Sequence, residues 1–314
     1  MADDREHAGS SLGRFWQPRH WPVWCLWLWM RACAAVPLGL ALAVHRPIGR
    51  VFHRLAPKLR HTVCRNLEIC FPELDAEAIE TLAKRHFEAL AMSIPECAAA
   101  WFGSDRDIAG RFDVLGLEHL NAALARGKGV ILYTGHFTTL EICGQPFKRI
   151  TPLFAAMFSH RSSPLLEEIQ RRGRMQLAHE TVSSDSVRSL LRSLRNNAVV
   201  WYAPDLMHRD GVLIPFFNEP AMTNVATGKL ARMSGATVLP FAYRRLPRGA
   251  HYEIRFHAPL ADFPSDDPVA DTRRLVPLLE QFIRAAPEQY QWLQKRFKGR
   301  PAAMPDVYAR DPRS

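Results

Sequence analysis

"FDVLGLEHLNAALARGKGVILYTGH", residues 112–136, decides the fold. It reads strand, helix, strand. Leu117, Leu120 and Leu124 stand three and four apart on one helix face, and Gly127 stops the helix. Val130 to Tyr133 form a short apolar run of the kind a buried strand shows. The rhythm continues outward. "LFAAMF" (153–158), "AVVWYAPD" (198–205), "ATVLPFAYR" (236–244) and "HYEIRFH" (251–257) read as strands. Helical spacing covers 163–174, 184–194, 225–234 and 276–286, with Pro277 tolerable in a first turn. Residues 46–100 are helical, punctuated by Pro72 and Pro95. Strands alternating with helices predict an α/β fold, a mixed and mostly parallel sheet flanked by helices. Ligands of such sheets gather beyond the strands' carboxyl ends, where His136 and Asp205 both stand.

The whole chain has 314 residues, 47% hydrophobic and 23% charged, enough for a sizeable core. Its six cysteines show no C-x-x-C spacing, which points to reduced thiols in an intracellular protein. A net charge of +10 favours a polyanionic partner or a membrane surface. Nucleic acid is a poor fit, because the chain has no zinc-finger, RNP or Arg-rich tail pattern and its basic residues are dispersed.

The front end supports the membrane. Residues 21–44, "WPVWCLWLWMRACAAVPLGLALAV", carry one charge, Arg31. As one helix they would reach about 36 Å, enough for a hydrocarbon layer of about 30 Å. Arg31 would cost about 3 kcal/mol near the centre, and Pro22 and Pro37 weaken the helix. The expectation is a membrane-seated helix over 21–44, spanning or lying in the interface. Arg46, Arg50, Arg54, Lys58, Arg60 and Arg65 follow, an excess that places the main domain on the cytoplasmic face. A buried soluble helix and a cleaved signal peptide are the alternatives; the long, charge-mixed stretch before Trp21 argues against the second.

"TGHFTTLE" (134–141) supplies the chemistry. H-x4-[DE] by itself is weak: with 13 His and 31 acidic residues, about one chance hit is expected. It occurs twice, and His257/Asp262, in the Pro-containing "HAPLAD", reads as chance. On a continuous helix five residues turn about 500°, leaving His136 and Glu141 some 140° apart. They meet only if His136 lies on the loop and Glu141 on the first turns of a helix capped by Thr138 or Thr139. Glu141 would then accept from the imidazole, fix its tautomer and leave the other nitrogen to take a proton from an alcohol. The bland alternative is a capped helix beside a satisfied histidine. No second His or Cys lies near His136 to complete a metal site. No G-x-S-x-G motif offers a serine nucleophile. A base without its own nucleophile suits an attacking acceptor hydroxyl and an activated acyl thioester.

"GHFTTLE" resembles the His-x4-acid motif of the lysophospholipid acyltransferase superfamily. The chain as a whole is similar to the late acyltransferases of lipid A biosynthesis, the lauroyl and myristoyl transferases of Gram-negative bacteria. The likeness runs through "RNLEICFPEL" (65–74), "AWF" (100–102), "VLGLEHL" (114–120), "RGRM" (172–175) and "WYAPD" (201–205). It continues through "IPFFNEPAMTNVATGKLARMSGATVLPFAYRR" (214–245) and "APEQYQWLQKRFKGRP" (286–301). The resemblance implies a glycerolipid acyltransferase-like domain over 45–305, with a helical lead-in over 45–103 and an α/β core over 104–300. Loose ends are expected at 1–20 and 306–314. It implies His136 as general base, Glu141 as its orienting acid, and Arg174 and Asp205 as matches to an Arg and an Asp of the family. The implied donor is an acyl-acyl carrier protein thioester, with no other cofactor. The implied acceptor is a hydroxyl on an anionic, Kdo-bearing lipid A precursor, at the bacterial inner membrane. One departure is Gln294, where the family pattern leads one to expect a basic residue or His after the Trp-Leu pair.

Other residues are candidates for substrate contact. Arg174 suits a phosphate or a developing oxyanion, with Arg172 beside it. Asp205 could hold Arg174 or a donor group in place. Thr223 and Asn224 open the helix at 225–234, as caps and as a possible phosphate site. The basic run from Lys295 to Arg300 suits acidic carrier protein or lipid headgroups, or a solvated helix face. Two rival functions remain open at this point: transfer to another lipid acceptor (glycerolipid, ornithine lipid or other glycolipid), and non-catalytic binding of anionic lipid.

Overall fold

The computed structural model describes residues 12–104, 108–158, 163–183, 186–247 and 249–309. The expected loose ends fall partly outside these residues, at 1–11 and 310–314. Within them, Tyr308 is buried and its hydroxyl donates to Asn66 Oδ1 at 2.6 Å, so the tail expected to be loose from 306 is anchored there.

A seven-stranded sheet forms the core. Its strands are β1 (Phe112–Leu115), β2 (Val130–Tyr133), β3 (Phe154–Phe158), β4 (Glu180–Ser183), β5 (Val199–Tyr202), β8 (Thr237–Arg245) and β9 (Tyr252–Phe256). They lie in the order β1-β9-β8-β2-β5-β3-β4, with every pair parallel except β8 and β9. Every residue of β2 and β5 is buried, which explains why these strands read as unbroken apolar runs: helices cover both faces of the sheet. Gly129 makes the entry to β2 possible. It has φ +78°, and a Cβ there would lie 2.5 Å from the Leu194 carbonyl oxygen.

Three strands escaped the sequence patterns, the edge strand β4 and two outside the main sheet. β6 (Val212–Phe216) and β7 (Glu219–Thr223) form a separate antiparallel hairpin. Its turn is Phe217-Asn218, both at positive φ, in place of the glycine turn that marks hairpins in sequence. The last helix also differs from expectation. It spans Pro268–Ala285, starting at an Asp267 cap that accepts from Val269 N, so Pro277 lies inside it and not in its first turn.

The front end breaks in two. Helix α1 spans Trp21–Ala34 and α2 spans Leu38–Leu55, with Pro37 at the α2 N-cap. The single helix expected over 21–44 therefore does not form: α1 ends at Ala34, and the chain is extended at Pro37 (ψ 128°) before α2 begins, in keeping with the bias against helix just before a proline. Among the described residues no helix is long and apolar enough to cross a membrane. Further helices follow, α3 (Pro57–Cys70), α4 (Ala76–Phe102), α5 (Leu117–Ala125), α6 (Leu140–Cys143), α7 (Phe147–Ile150) and α8 (Pro164–Leu177). Gly49 lets α2 press on α4: a Cβ there would meet the Phe87 carbonyl oxygen at 2.4 Å. Arg46 and Arg50 close the contact on the buried Glu88, at 2.8 and 2.6 Å.

One buried group makes stability depend on pH. His86 Nδ1 sits 3.1 Å from the Glu288 carbonyl oxygen, and burial pushes the imidazole from 6.5 down to about 4. The unfolded chain then binds a proton that the fold refuses. Stability is full above about pH 6.5 and falls as pH drops towards 4, by about 3 kcal/mol from this residue. Urea unfolding across that window should show a steeper pH dependence for the native protein than for His86→Gln. Equal slopes would remove His86 as the cause.

Candidate active site

The site is built on the register of β2 and β5. Tyr133 pairs with Tyr202, and His136 and Asp205 each stand three residues beyond that pair. The two loops therefore leave the sheet side by side. His136 Nδ1 and Asp205 Oδ1 are 2.6 Å apart, and the His136 backbone N–H donates to Asp205 Oδ2 at 2.9 Å. Gly135 permits this approach, since a Cβ there would lie 3.1 Å from Asp205 Oδ2 and 2.7 Å from Leu279 Cδ1.

The loop is fixed from three other sides. The Tyr243 hydroxyl donates to the Gly135 carbonyl at 2.8 Å and accepts from the Phe137 N–H at 3.3 Å. Gln291 N donates to the His136 carbonyl, and Thr138 N donates to the Gln289 carbonyl. Phe137 and Tyr290 form an antiparallel bridge between these bonds.

Asp205 has no side-chain exposure, whereas the His136 side chain is 35% exposed. Burial by itself would raise the Asp205 carboxyl. The charge of His136 and its side-chain and backbone hydrogen bonds, with Tyr290 adjacent, outweigh burial and hold the carboxyl below its ordinary value. An ionised carboxylate only accepts, so Nδ1 carries the proton in this pair. Asp205 thus takes the place expected for Glu141.

Glu141 lies on a single helical turn, α6 (Leu140–Cys143), where Thr139 stands at the N-cap without capping through its side chain. Its Oε1 accepts from Arg174 Nε and Nη2 at 3.0 and 2.6 Å, and its Oε2 accepts from Trp101 Nε1 at 3.0 Å. Arg174 comes from α8 (Pro164–Leu177), whose N-cap Ser163 accepts from Leu166 N. Burial would lower the Arg174 guanidinium; the charge and hydrogen bonds of Glu141 outweigh it and raise it. The sequence suggests Glu141 for the imidazole and Asp205 for Arg174 or a donor group. The fold exchanges the partners, because the strand that carries Asp205 lies next to the strand that carries His136.

His136, Glu141 and Arg174 line one cavity of about 430 Å³, with Asp205 buried behind His136. His136, Glu141, Arg174, His208 and Asn224 give it a polar end, and Phe154, Met157, Leu177 and Trp201 contribute apolar walls. The arrangement offers an oriented imidazole, a paired cation and room for an apolar chain, the parts a group transfer to a hydroxyl requires. Among the described residues no group of three or more His, Cys, Asp and Glu could hold a metal ion. The cavity gave no sequence sign of His208.

The remaining candidates go elsewhere. Arg172 pairs with Glu168 at 2.6 Å and is 43% exposed, and among the described residues it does not line the cavity. Thr223 does not cap a helix. It donates to the Ala221 carbonyl and accepts from Arg296 Nη2 at 2.7 Å. Asn224 does open the helix Ala226–Ser234, accepting from Ala226 N at 2.8 Å. Arg296 is buried, so the basic run at 295–300 is neither a plain solvated face nor wholly a docking patch. At the departure noted above, it is the Gln294 backbone carbonyl that accepts from Asn66 Nδ2.

The family model for bacterial lipid A biosynthesis acyltransferases matches residues 11–299. The chain belongs to that family. It is 33% identical over 298 residues to the lipid A biosynthesis lauroyltransferase of Escherichia coli K12, covering 93% of this chain and 96% of the relative. It is 31% identical over 304 residues to the palmitoleoyltransferase of the same strain, covering 94% and 96%. The myristoyltransferase of that strain is 24% identical over 289 residues, covering 91% and 90%. The chain is thus an acyltransferase of lipid A biosynthesis.

Proposed function

We propose that this lipid A acyltransferase moves a fatty acyl chain from an acyl carrier protein thioester to a hydroxyl of a Kdo-bearing lipid A precursor, with His136 as general base. The observation that carries the reading is the 2.6 Å contact between the buried Asp205 and the Nδ1 of a partly exposed histidine in the large cavity. Asp205 holds the proton on Nδ1, so Nε2 takes the acceptor's proton as its oxygen attacks the thioester carbonyl. The new C–O bond forms, the C–S bond breaks, and the imidazolium returns the proton to the departing thiolate. Arg174, steadied by Glu141, meets the negative charge that develops on the carbonyl oxygen or sits on the acceptor's phosphate. His-x4-Glu then marks two functions, a base and the holder of a cation, and not a dyad in direct contact.

The test is transfer by purified protein from defined acyl-carrier and acyl-CoA donors to the tetra-acylated precursor, read by product mass. Gain of one acyl group from the carrier donor is expected. Transfer only from acyl-CoA would overturn the donor assignment, and no gain on the precursor would overturn the acceptor.

The front end seats the enzyme on the cytoplasmic face of the inner membrane, lying in the interface. On α2, Leu40, Val44, Ile48, Val51 and Leu55 form an exposed apolar stripe at helical spacing, opposite the residues buried on α4. Trp16, Trp21 and Trp29 add exposed rings, and Arg46 and Arg50 flank the stripe with charge. Such a surface suits anionic headgroups over a shallow apolar layer. Replacing Leu40, Val44 and Val51 with serine should weaken binding to anionic phospholipid vesicles at least about tenfold, measured by co-sedimentation. Unchanged binding would exclude this face.

A further inference from the structure

We infer that Trp101 is a positioning residue for acyl transfer, acting through Glu141 on Arg174. The inference rests on the reading above, in which Arg174 meets substrate charge.

Trp101 stands near the end of α4, far in sequence from the cavity, yet its indole N–H donates to Glu141 Oε2 at 3.0 Å. With Arg174 on Oε1, both carboxylate oxygens are committed and the carboxylate plane is fixed. The guanidinium is held on its far side too, where Arg174 Nη1 donates to the Met157 carbonyl. The chain of contacts therefore runs from α4 through Glu141 to a cation at the cavity wall.

The indole is itself clamped. A Cβ at Gly173 would lie 2.2 Å from Trp101 Cδ2, so the α8 backbone rests directly on the ring, one residue from Arg174. Only glycine allows that approach. The Trp101 ring also borders a second cavity of about 220 Å³, between α1, α4 and α8, lined by apolar residues such as Leu26, Trp27, Met30 and Ile169. A tryptophan serving packing alone would fill that space with any orientation of its N–H. Here the polar edge is turned to the carboxylate that carries Arg174. A hydrogen bond to a charged acceptor is among the stronger kinds, and it resists rotation of Glu141 when substrate charge draws on the guanidinium.

The deciding variant is Trp101→Phe, which deletes the donor and keeps an aromatic ring against Gly173. Rates are taken under single-turnover conditions with enzyme in excess, well below each variant's melting midpoint. The expected result is a fall of about tenfold in the single-turnover transfer step, with KM for donor and acceptor, from separate steady-state kinetics, within about twofold. In a Glu141→Ala background the indole has no carboxylate to hold, and the same substitution should cost less than about twofold. An unchanged rate in Trp101→Phe, a loss lying wholly in KM, or a tenfold fall in both backgrounds would each overturn the inference. His136→Ala separates the two levels of the argument. If that variant keeps the native rate, the reading of the reaction fails. If it is inactive while Trp101→Phe is fully active, only the role of Trp101 fails.

Discussion

Replacing His136 with alanine should lower the acyl-transfer rate by about 10²–10⁴-fold while leaving the melting midpoint within a few degrees. The side chain is partly exposed at a cavity wall, so its removal leaves no large apolar void in the core, and the buried Asp205 keeps the residue 136 backbone N–H and Tyr290 as donors. The loop does not depend on the imidazole for its shape. Its backbone is tied at Gly135, His136, Phe137 and Thr138 by bonds to Tyr243, Asp205, Gln291 and Gln289. The loss should therefore be chemical, visible in the rate and not in the folded fraction. A variant that transfers at near-native rate would show that another group takes the acceptor's proton.

Asp205→Asn should be nearly as severe, about 10²–10⁴-fold, for a reason of hydrogen-bond arithmetic. The carboxylate accepts from the His136 backbone N–H on Oδ2 and from the Nδ1–H on Oδ1, with the Tyr290 hydroxyl as a further donor. An asparagine of the same shape has one accepting oxygen. If that oxygen serves the backbone, its NH₂ faces the ring, Nδ1 becomes the acceptor and the proton moves to Nε2, where it blocks base catalysis. The charge matters as well. The coupling that holds the Asp205 carboxyl low is reciprocal, so its removal should move the acid limb of kcat/KM to lower pH. Glu141→Gln, by contrast, should weaken the hold on Arg174 and leave the position of that limb in place. Kinetics of both variants across pH check the assignment; a limb that moves only in Glu141→Gln would restore Glu141 as the partner of the imidazole.

Much of this site was legible from the sequence, and its pairing was not. His136, Glu141, Arg174 and Asp205 all stand out in the sequence; the first three line one cavity, and Asp205 lies buried behind His136. Spacing favoured the near neighbour, five residues away. The true partner of the imidazole arrives from β5, 69 positions later, and strand order cannot be read from a single chain. β2, β5 and β8 were readable because strands covered on both faces are apolar runs. β4, "ETVS", was not, being a short polar edge strand. The hairpin of β6 and β7 hid behind Pro215, Pro220 and a turn without glycine. In the sequence Pro37 reads only as a weakening of the first helix, yet the run breaks between Ala34 and Leu38 and a span-length segment becomes two shorter helices. Trp101 was visible only as part of "AWF", since nothing local shows which way an indole N–H will face.

The most direct test follows the Nδ1 proton of His136 by NMR in ¹⁵N-histidine-labelled protein, in the native enzyme and in the Asp205→Ala and Glu141→Gln variants. A strong hydrogen bond to a buried carboxylate should give a downfield, slowly exchanging Nδ1–H signal. That signal should persist in Glu141→Gln and vanish in Asp205→Ala. Loss in Glu141→Gln with retention in Asp205→Ala would contradict the account.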